Sequence, residues 1–244
     1  MKTIAKSSRI TMLTSIANQK TSNLLWAYAC QCIETKKWEE AEGLLLRIWQ
    51  INSEASWLLR DALGYSLLRQ GEYVLCEQIL RPALKAKERS YWVSHKIADA
   101  LRGQGYIEEA AEMYKQSESE GSDSPITAKN LIQVLYKLNA SRAIEQLNTW
   151  KAKETTPIEF WQGSCEASIL VGGNEIAEWL WENGFSDHQC RGKLIKFYCY
   201  KLEIHKCLEI IDSSQNPSEL EIKLKKKLIN MGIISKDGIP SVEK

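Results

Sequence analysis

His95 and Asp99 stand four residues apart, with Trp92 one turn before them. On a helix this spacing brings imidazole and carboxylate to one face and could orient a general base. No nucleophile or oxyanion donor is identifiable beside them, so the pair reads as a helix-surface hydrogen bond. His188 with Cys190, and His205 with Cys207, are each two apart, which splays the side chains on a helix and does not match a zinc framework. Gly103-Gln104-Gly105 has no strand pattern before it and no Lys-Ser/Thr after it, so it does not cradle a phosphate. Lys223, Lys225, Lys226 and Lys227 could touch phosphate, but Glu219 and Glu221 alongside make them a solvated face. The residues therefore predict no catalytic centre, no cofactor and no metal.

The elements that must position these residues are short helices in tandem. Ala62-Leu63-Gly64-Tyr65-Ser66-Leu67-Leu68 leads to Gln70-Gly71-Glu72-Tyr73 and on to Cys76 and Leu80; Ile97-Ala98-Asp99-Ala100-Leu101 leads to Gln104-Gly105-Tyr106 and on to Ala110 and Tyr114. Cys76 and Ala110 hold equivalent places, and 110 − 76 = 34, a period that marks a stacked solenoid. At Gly64 and Ala98 a larger side chain would hold the facing helix away, and Gly71 and Gly105 end the first helix of each pair in the left-handed conformation. A looser copy lies earlier: Leu25, Tyr28, Ala29 and Cys32 share one face, Lys36-Lys37-Trp38-Glu39-Glu40-Ala41 makes the turn, and Leu45 and Ile48 continue inward.

These residues resemble the tetratricopeptide repeat, whose pattern is a Trp, Leu-Gly, an aromatic, a turn glycine, a small residue, an aromatic and a closing proline. Trp57 and Trp92 lie about one turn early and the proline is missing from both copies. The resemblance implies that the first helix of each pair lines a concave groove. Carried across residue by residue, that face holds Trp26 and Cys30, then Asp61, Tyr65 and Arg69, then Trp92, His95, Asp99 and Arg102. Aromatics with interleaved acids suit a peptide that brings apolar and basic side chains. The carboxylate clamp that some members of the family use would fall here on Trp26, Cys30, Ala62, Trp92 and Lys96, of which only Lys96 fits. The stretch Asp99 to Leu135 also resembles a pentatricopeptide repeat, which implies an alternative, the reading of single-stranded RNA.

Composition narrows the partner class. With 32 basic and 31 acidic side chains the formal charge is +1, without the basic field of a dedicated nucleic-acid binder. Seven cysteines in an odd set without CxxC spacing suit a reducing compartment and a cytoplasmic address. No apolar run reaches the roughly 18 residues of a membrane span. The N-terminal segment, 1–21, has no acid and reads as a partly ordered helix, Ile10 to Ala17, rather than a targeting peptide.

Beyond the repeats of 22–120, Ser117 to Ser124 reads as a polar loop. Ser124-Pro125, Thr156-Pro157 and Asn216-Pro217 read as helix starts, with Glu159 and Glu219 completing the caps of the last two. Ile126 to Trp150, Ile158 to Trp181 and Cys190 to Ile211 read as pairs that have lost the small-residue signature, filling 121–215. A capping helix follows in 216–234, with Leu220, Leu224, Leu228 and Met231 on one face, and then a tail, 235–244. The expected fold is an all-α, right-handed solenoid of about six helix-turn-helix units plus that cap. The expected function is a non-catalytic scaffold or adaptor holding a protein or peptide partner.

Overall fold

Glycine and proline are scarce, 13 and 5 in 244 residues, so little interrupts the helical periodicity. The structure is a computed structural model and describes residues 2–52, 55–153, 155–183, 187–214 and 216–231. Its described residues form thirteen α-helices: α1 Lys2–Glu34, α2 Trp38–Ile51, α3 Trp57–Gln70, α4 Tyr73–Leu80, α5 Trp92–Gln104, α6 Ile107–Ser119, α7 Pro125–Leu138, α8 Ala140–Lys151, α9 Ile158–Val171, α10 Asn174–Glu182, α11 His188–Tyr200, α12 Ile204–Asp212 and α13 Glu219–Asn230. They are six pairs and a closing helix, the all-α solenoid expected. The predicted tail and the end of the predicted cap lie outside the described residues. The chain divides into two compact units, residues 1–121 and 122–244.

Within the first unit each helix packs on the next in sequence. Gly64 is where α3 meets α4: a Cβ there would come 2.5 Å from Leu80 Cγ. Gly71 and Gly105 take φ of 83° and 89° and close α3 and α5, as their type predicts. Pro82 ends α4, and the chain continues as a 3-10 helix over Arg81–Lys85. A polar ladder repeats with the fold. Gln70, the last residue of α3, donates to Glu42 on α2 at 2.8 Å, and Gln104, the last of α5, donates to Glu77 on α4 at 2.7 Å.

Five local expectations change. Residues 2–21 are not a separate short helix: α1 runs unbroken through them, because nothing from Ala17 to Ser22 breaks a helix and Thr21 bonds back to the Ala17 carbonyl at 2.9 Å. At 33 residues against 14 in α2, α1 is 33 − 14 = 19 residues longer, about 28 Å of helix. Tyr28 is 60% exposed; Ala29 alone of that group is fully covered. Thr156 does not cap α9; its hydroxyl donates to the Trp150 carbonyl at 2.7 Å, and Pro157 takes the cap position. Asn216 does not cap α13 either. Ser218 does, forming a reciprocal box with Glu221, while Ser124 caps α7 as expected. Leu224 and Leu228 pack on Leu208 and Ile204 of α12, whereas Met231 falls past the helix end and is 62% exposed.

In the second unit α7 packs chiefly on α9, and α9 in turn on α11. The small residues thought lost are present on α9: Gly163, Ser164, Ala167 and Ser168 are all buried. Trp179 stacks on Trp161 at 6.2 Å and donates to Asn148, while Trp181 donates to Glu209 at 3.4 Å, so both are half-buried braces between helices.

Candidate functional site

Successive first helices of the first unit, α1, α3 and α5, carry the nine residues expected to meet a partner, and α3 with α5 brings several of them together. Asp61 on α3 accepts from Lys96 Nζ on α5 at 2.7 and 2.8 Å. The same ammonium lies 5.3 Å above the Tyr65 ring. Tyr65 meets Trp38, the first residue of α2, edge to face at 5.5 Å, and the exposed Arg69 guanidinium lies 5.4 Å from the Trp38 ring. Asp61, Tyr65, Arg69, Lys96 and Trp38 thus form one cluster spanning three helices. A depression of about 550 Å³ lies beside it, lined by Lys36, Lys37, Trp38, Glu39, Glu40, Gln70 and Glu72.

Trp92, His95, Asp99 and Arg102 form a second cluster, organised inward. His95 departs from the expectation of a surface residue: it is 3% exposed, with Trp92 edge-on at 4.8 Å and Tyr114 of α6 at 5.3 Å. Its Nε2 faces the Asp99 carboxylate at 3.4 Å, and the Tyr114 hydroxyl and Arg102, at 2.9 Å, engage the other oxygen. Burial pushes the Asp99 carboxyl up, but the hydrogen bond and charge of His95, the charge of Arg102 and the hydrogen bond from Tyr114 outweigh it and hold it below the ordinary carboxylate range. Closed off by two aromatic rings, this pair anchors α6 to α5 and is not placed to take a proton from a substrate. Trp26 and Cys30 are half-buried on α1 and join neither cluster among the described residues.

The other groups singled out for chemistry are occupied structurally. Gly103 packs against the Tyr73 ring, 2.6 Å from where its Cβ would be. His188 and His205 are exposed while Cys190 and Cys207 are buried. Among the described residues no three metal-ligating side chains converge. Cys76 is buried and its thiol pushed up to about 12, and the Cys165 thiol is raised by its hydrogen bond with Cys190 and by burial, which makes both poor nucleophiles. Lys223 pairs with Glu219 at 2.6 Å, and Lys225 with Asp212.

Two members of the first cluster were not anticipated as contacts, Trp38 and Lys96. Their signal was available: 96 − 61 = 35, one residue more than the 34-residue repeat, so Asp61 and Lys96 are opposite charges at neighbouring repeat positions on consecutive first helices.

No protein-family model matches this sequence, and no curated protein matches it. Among solved structures, a tetratricopeptide repeat protein from Parabacteroides merdae is similar over 87% of both chains at 14% identity, with a TM-score of 0.52. PilF of Pseudomonas aeruginosa is similar over 86% of this chain and 99% of its own, also at 14% identity, with a TM-score of 0.49. The fold is that of a tetratricopeptide-like helical repeat.

Proposed function

We propose that this protein is a non-catalytic adaptor that holds a peptide or helix of a partner protein, within a larger assembly, against the first-helix face of its N-terminal unit. One observation carries the reading. Tyr65, Arg69 and Lys96 are fixed in place by ring and ion-pair contacts while Arg69 stays exposed beside a 550 Å³ depression, so their order is established before a partner arrives. Tyr, Trp and Arg are also the side chains that dominate interface energetics. The contact set is Trp26, Cys30, Asp61, Tyr65, Arg69, Trp92 and Arg102, with Lys96 and Trp38 added; Asp99 orients Arg102 from behind, and His95 supports it. Seven thiols suit a cytoplasmic address within the same reading.

The test is affinity capture of the tagged full chain from native lysate, with and without nuclease, beside the exposed-residue variant Arg69→Glu. The expected result is a protein partner that survives nuclease and is recovered about tenfold less by the variant, a loss of about 1.4 kcal/mol. Equal recovery by a correctly folded variant removes this face from the function. Partners that vanish with nuclease and leave RNA in the untreated half point to RNA binding instead.

A further inference from the structure

The turns that join first to second helices in the C-terminal unit line up side by side. Tyr136, at the end of α7, donates to Glu175 at the start of α10 at 2.9 Å, and Lys201, after α11, donates to the Gly172 carbonyl after α9 at 3.1 Å. On this edge three large apolar side chains face solvent: Leu170 is 59% exposed, Tyr200 69% and Leu202 81%. Leu170 and Tyr200 hold equivalent places, two residues before the left-handed residue of their turns.

Leu202 is the unusual member. Three other turns put glycine in this left-handed position, at Gly71, Gly105 and Gly172, and the α1–α2 turn puts the polar Lys36 there, at φ of 61°. Here a leucine takes φ of 60° and points its side chain into water, so neither backbone conformation nor packing accounts for it. The same edge also carries charge. Lys129 and Lys193 share Glu166, and Lys206 takes Glu178 and Glu203. Lys196 and Lys201 are exposed and have no ion pair among the described residues; Lys196 lies 5.8 Å over the Tyr200 ring, and Lys201 lies 5.6 Å from the Phe197 ring. Glu175 on the same edge accepts from Tyr136.

The geometry points to this edge as a second docking surface, one that receives an acidic protein segment carrying apolar anchors. Leu170, Tyr200 and Leu202 cover the anchors, and Lys196 and Lys201 meet the carboxylates that flank them. A segment of that charge complements the two unpaired ammoniums, whereas a basic one would be repelled by them.

The probe is a short fluorescent peptide alternating Glu with Leu and Phe, titrated into the full chain by anisotropy. A twin peptide with Gln for Glu, and vesicles of phosphatidylcholine with phosphatidylserine, serve as controls. The acidic peptide is expected to bind, and the Gln twin to bind about tenfold more weakly. Leu202→Gly and the double variant Lys196→Gln with Lys201→Gln are each expected to weaken the acidic peptide about tenfold. Leu202→Gly should at the same time raise the melting midpoint, because glycine takes the left-handed conformation freely. Arg69→Glu, in the other unit, should leave this affinity unchanged. The proposal is overturned if the peptide does not bind, if the edge variants bind as wild type, if Arg69→Glu is the variant that loses binding, or if Leu202→Gly lowers the midpoint. Leu202-dependent binding to the anionic vesicles in place of the peptide overturns it in favour of a membrane surface.

Discussion

The two units use the same helix pairs but put their small residues on different sides of the first helix. In the first unit Gly64 faces Leu80 and Gly103 faces Tyr73, so glycine accommodates a side chain of a second helix. In the second, a Cβ on Gly163 would lie 2.3 Å from the Pro125 carbonyl oxygen and 3.0 Å from the Lys129 nitrogen, so glycine there admits the backbone of another first helix. Ser164 and Ser168 extend that stripe and turn their hydroxyls back onto the Phe160 and Cys165 carbonyls, both at 2.8 Å, which satisfies both buried hydroxyls. The difference decides what lies between first helices. Where α7 and α9 touch through small residues, backbone fills the gap; between α3 and α5 it is filled by Asp61, Tyr65 and Lys96.

The sharpest way to break the comparison is Arg191→Ala. Arg191 holds Glu221, which is 2% exposed, at 3.0 Å, and joins α11 to α13. Removing it leaves a buried carboxylate without its cation, and should cost about 3–5 kcal/mol. Hydrogen exchange should show α11 to α13 losing protection while α3 to α5 keep theirs; equal loss in both would mean the units do not unfold separately. Next come the matched changes Gly163→Ala and Gly64→Ala. Each gains about 1 kcal/mol of helix propensity and loses about 1–3 kcal/mol or more to overpacking. Backbone cannot step aside as Leu80 can, so denaturant melts should place Gly163→Ala about 2 kcal/mol down and Gly64→Ala about 1 kcal/mol or less. Equal costs would erase the distinction drawn above.

Acid should separate the units more gently. Burial raises the carboxyls of Glu166 and Glu221, yet Lys193 and Lys129 on the first, and Arg191 and the Ser218 backbone on the second, outweigh it and hold both below the ordinary 4.5. A carboxylate depressed by folding contributes fully above its unfolded value and loses that contribution as pH falls through the folded one. Asp187 is likewise depressed below 3.8; among the described residues of the first unit Asp99 is the one carboxyl held down, also from 3.8. Below pH 4.5, exchange in the second unit should therefore accelerate more steeply than in the first. Smallest of all is Gln104→Ala, which deletes one rung of the ladder to Glu77 and should cost about 0.5–1 kcal/mol in a chemical melt. Gln70→Ala should match it, because the two rungs are equivalent; a clear difference would mean that the repeat register is not shared.

What the sequence disclosed was local. Gly71 and Gly105 announce their turns, and Ser124 with Pro125 announces a helix, because each depends on one residue's own conformation. Thr156 misled because its hydroxyl had a rival acceptor at Trp150, and Asn216 because Ser218 stands two residues nearer the helix. His95 shares a helical face with Trp92 and Asp99, but whether that face is open depends on Tyr114, which arrives from another helix. The α9 stripe escaped notice because Gly163 and Ser164, then Ala167 and Ser168, recur at one helical turn and not at the repeat period. Asp61 and Lys96 were visible as charges, yet only packing makes them a pair.

The rungs between helices also bear on how fast the molecule forms. Gln70 reaches 28 residues back, Gln104 reaches 27, and Tyr136 reaches 39 forward to Glu175. Loop-closure cost rises only slowly with such separations, and low contact order accompanies fast folding. Each pair can thus find its neighbour as soon as the next few turns of helix exist. A growing chain has no need to wait for its far end, and a newly made pair leaves its apolar side uncovered only until the following pair has been synthesised.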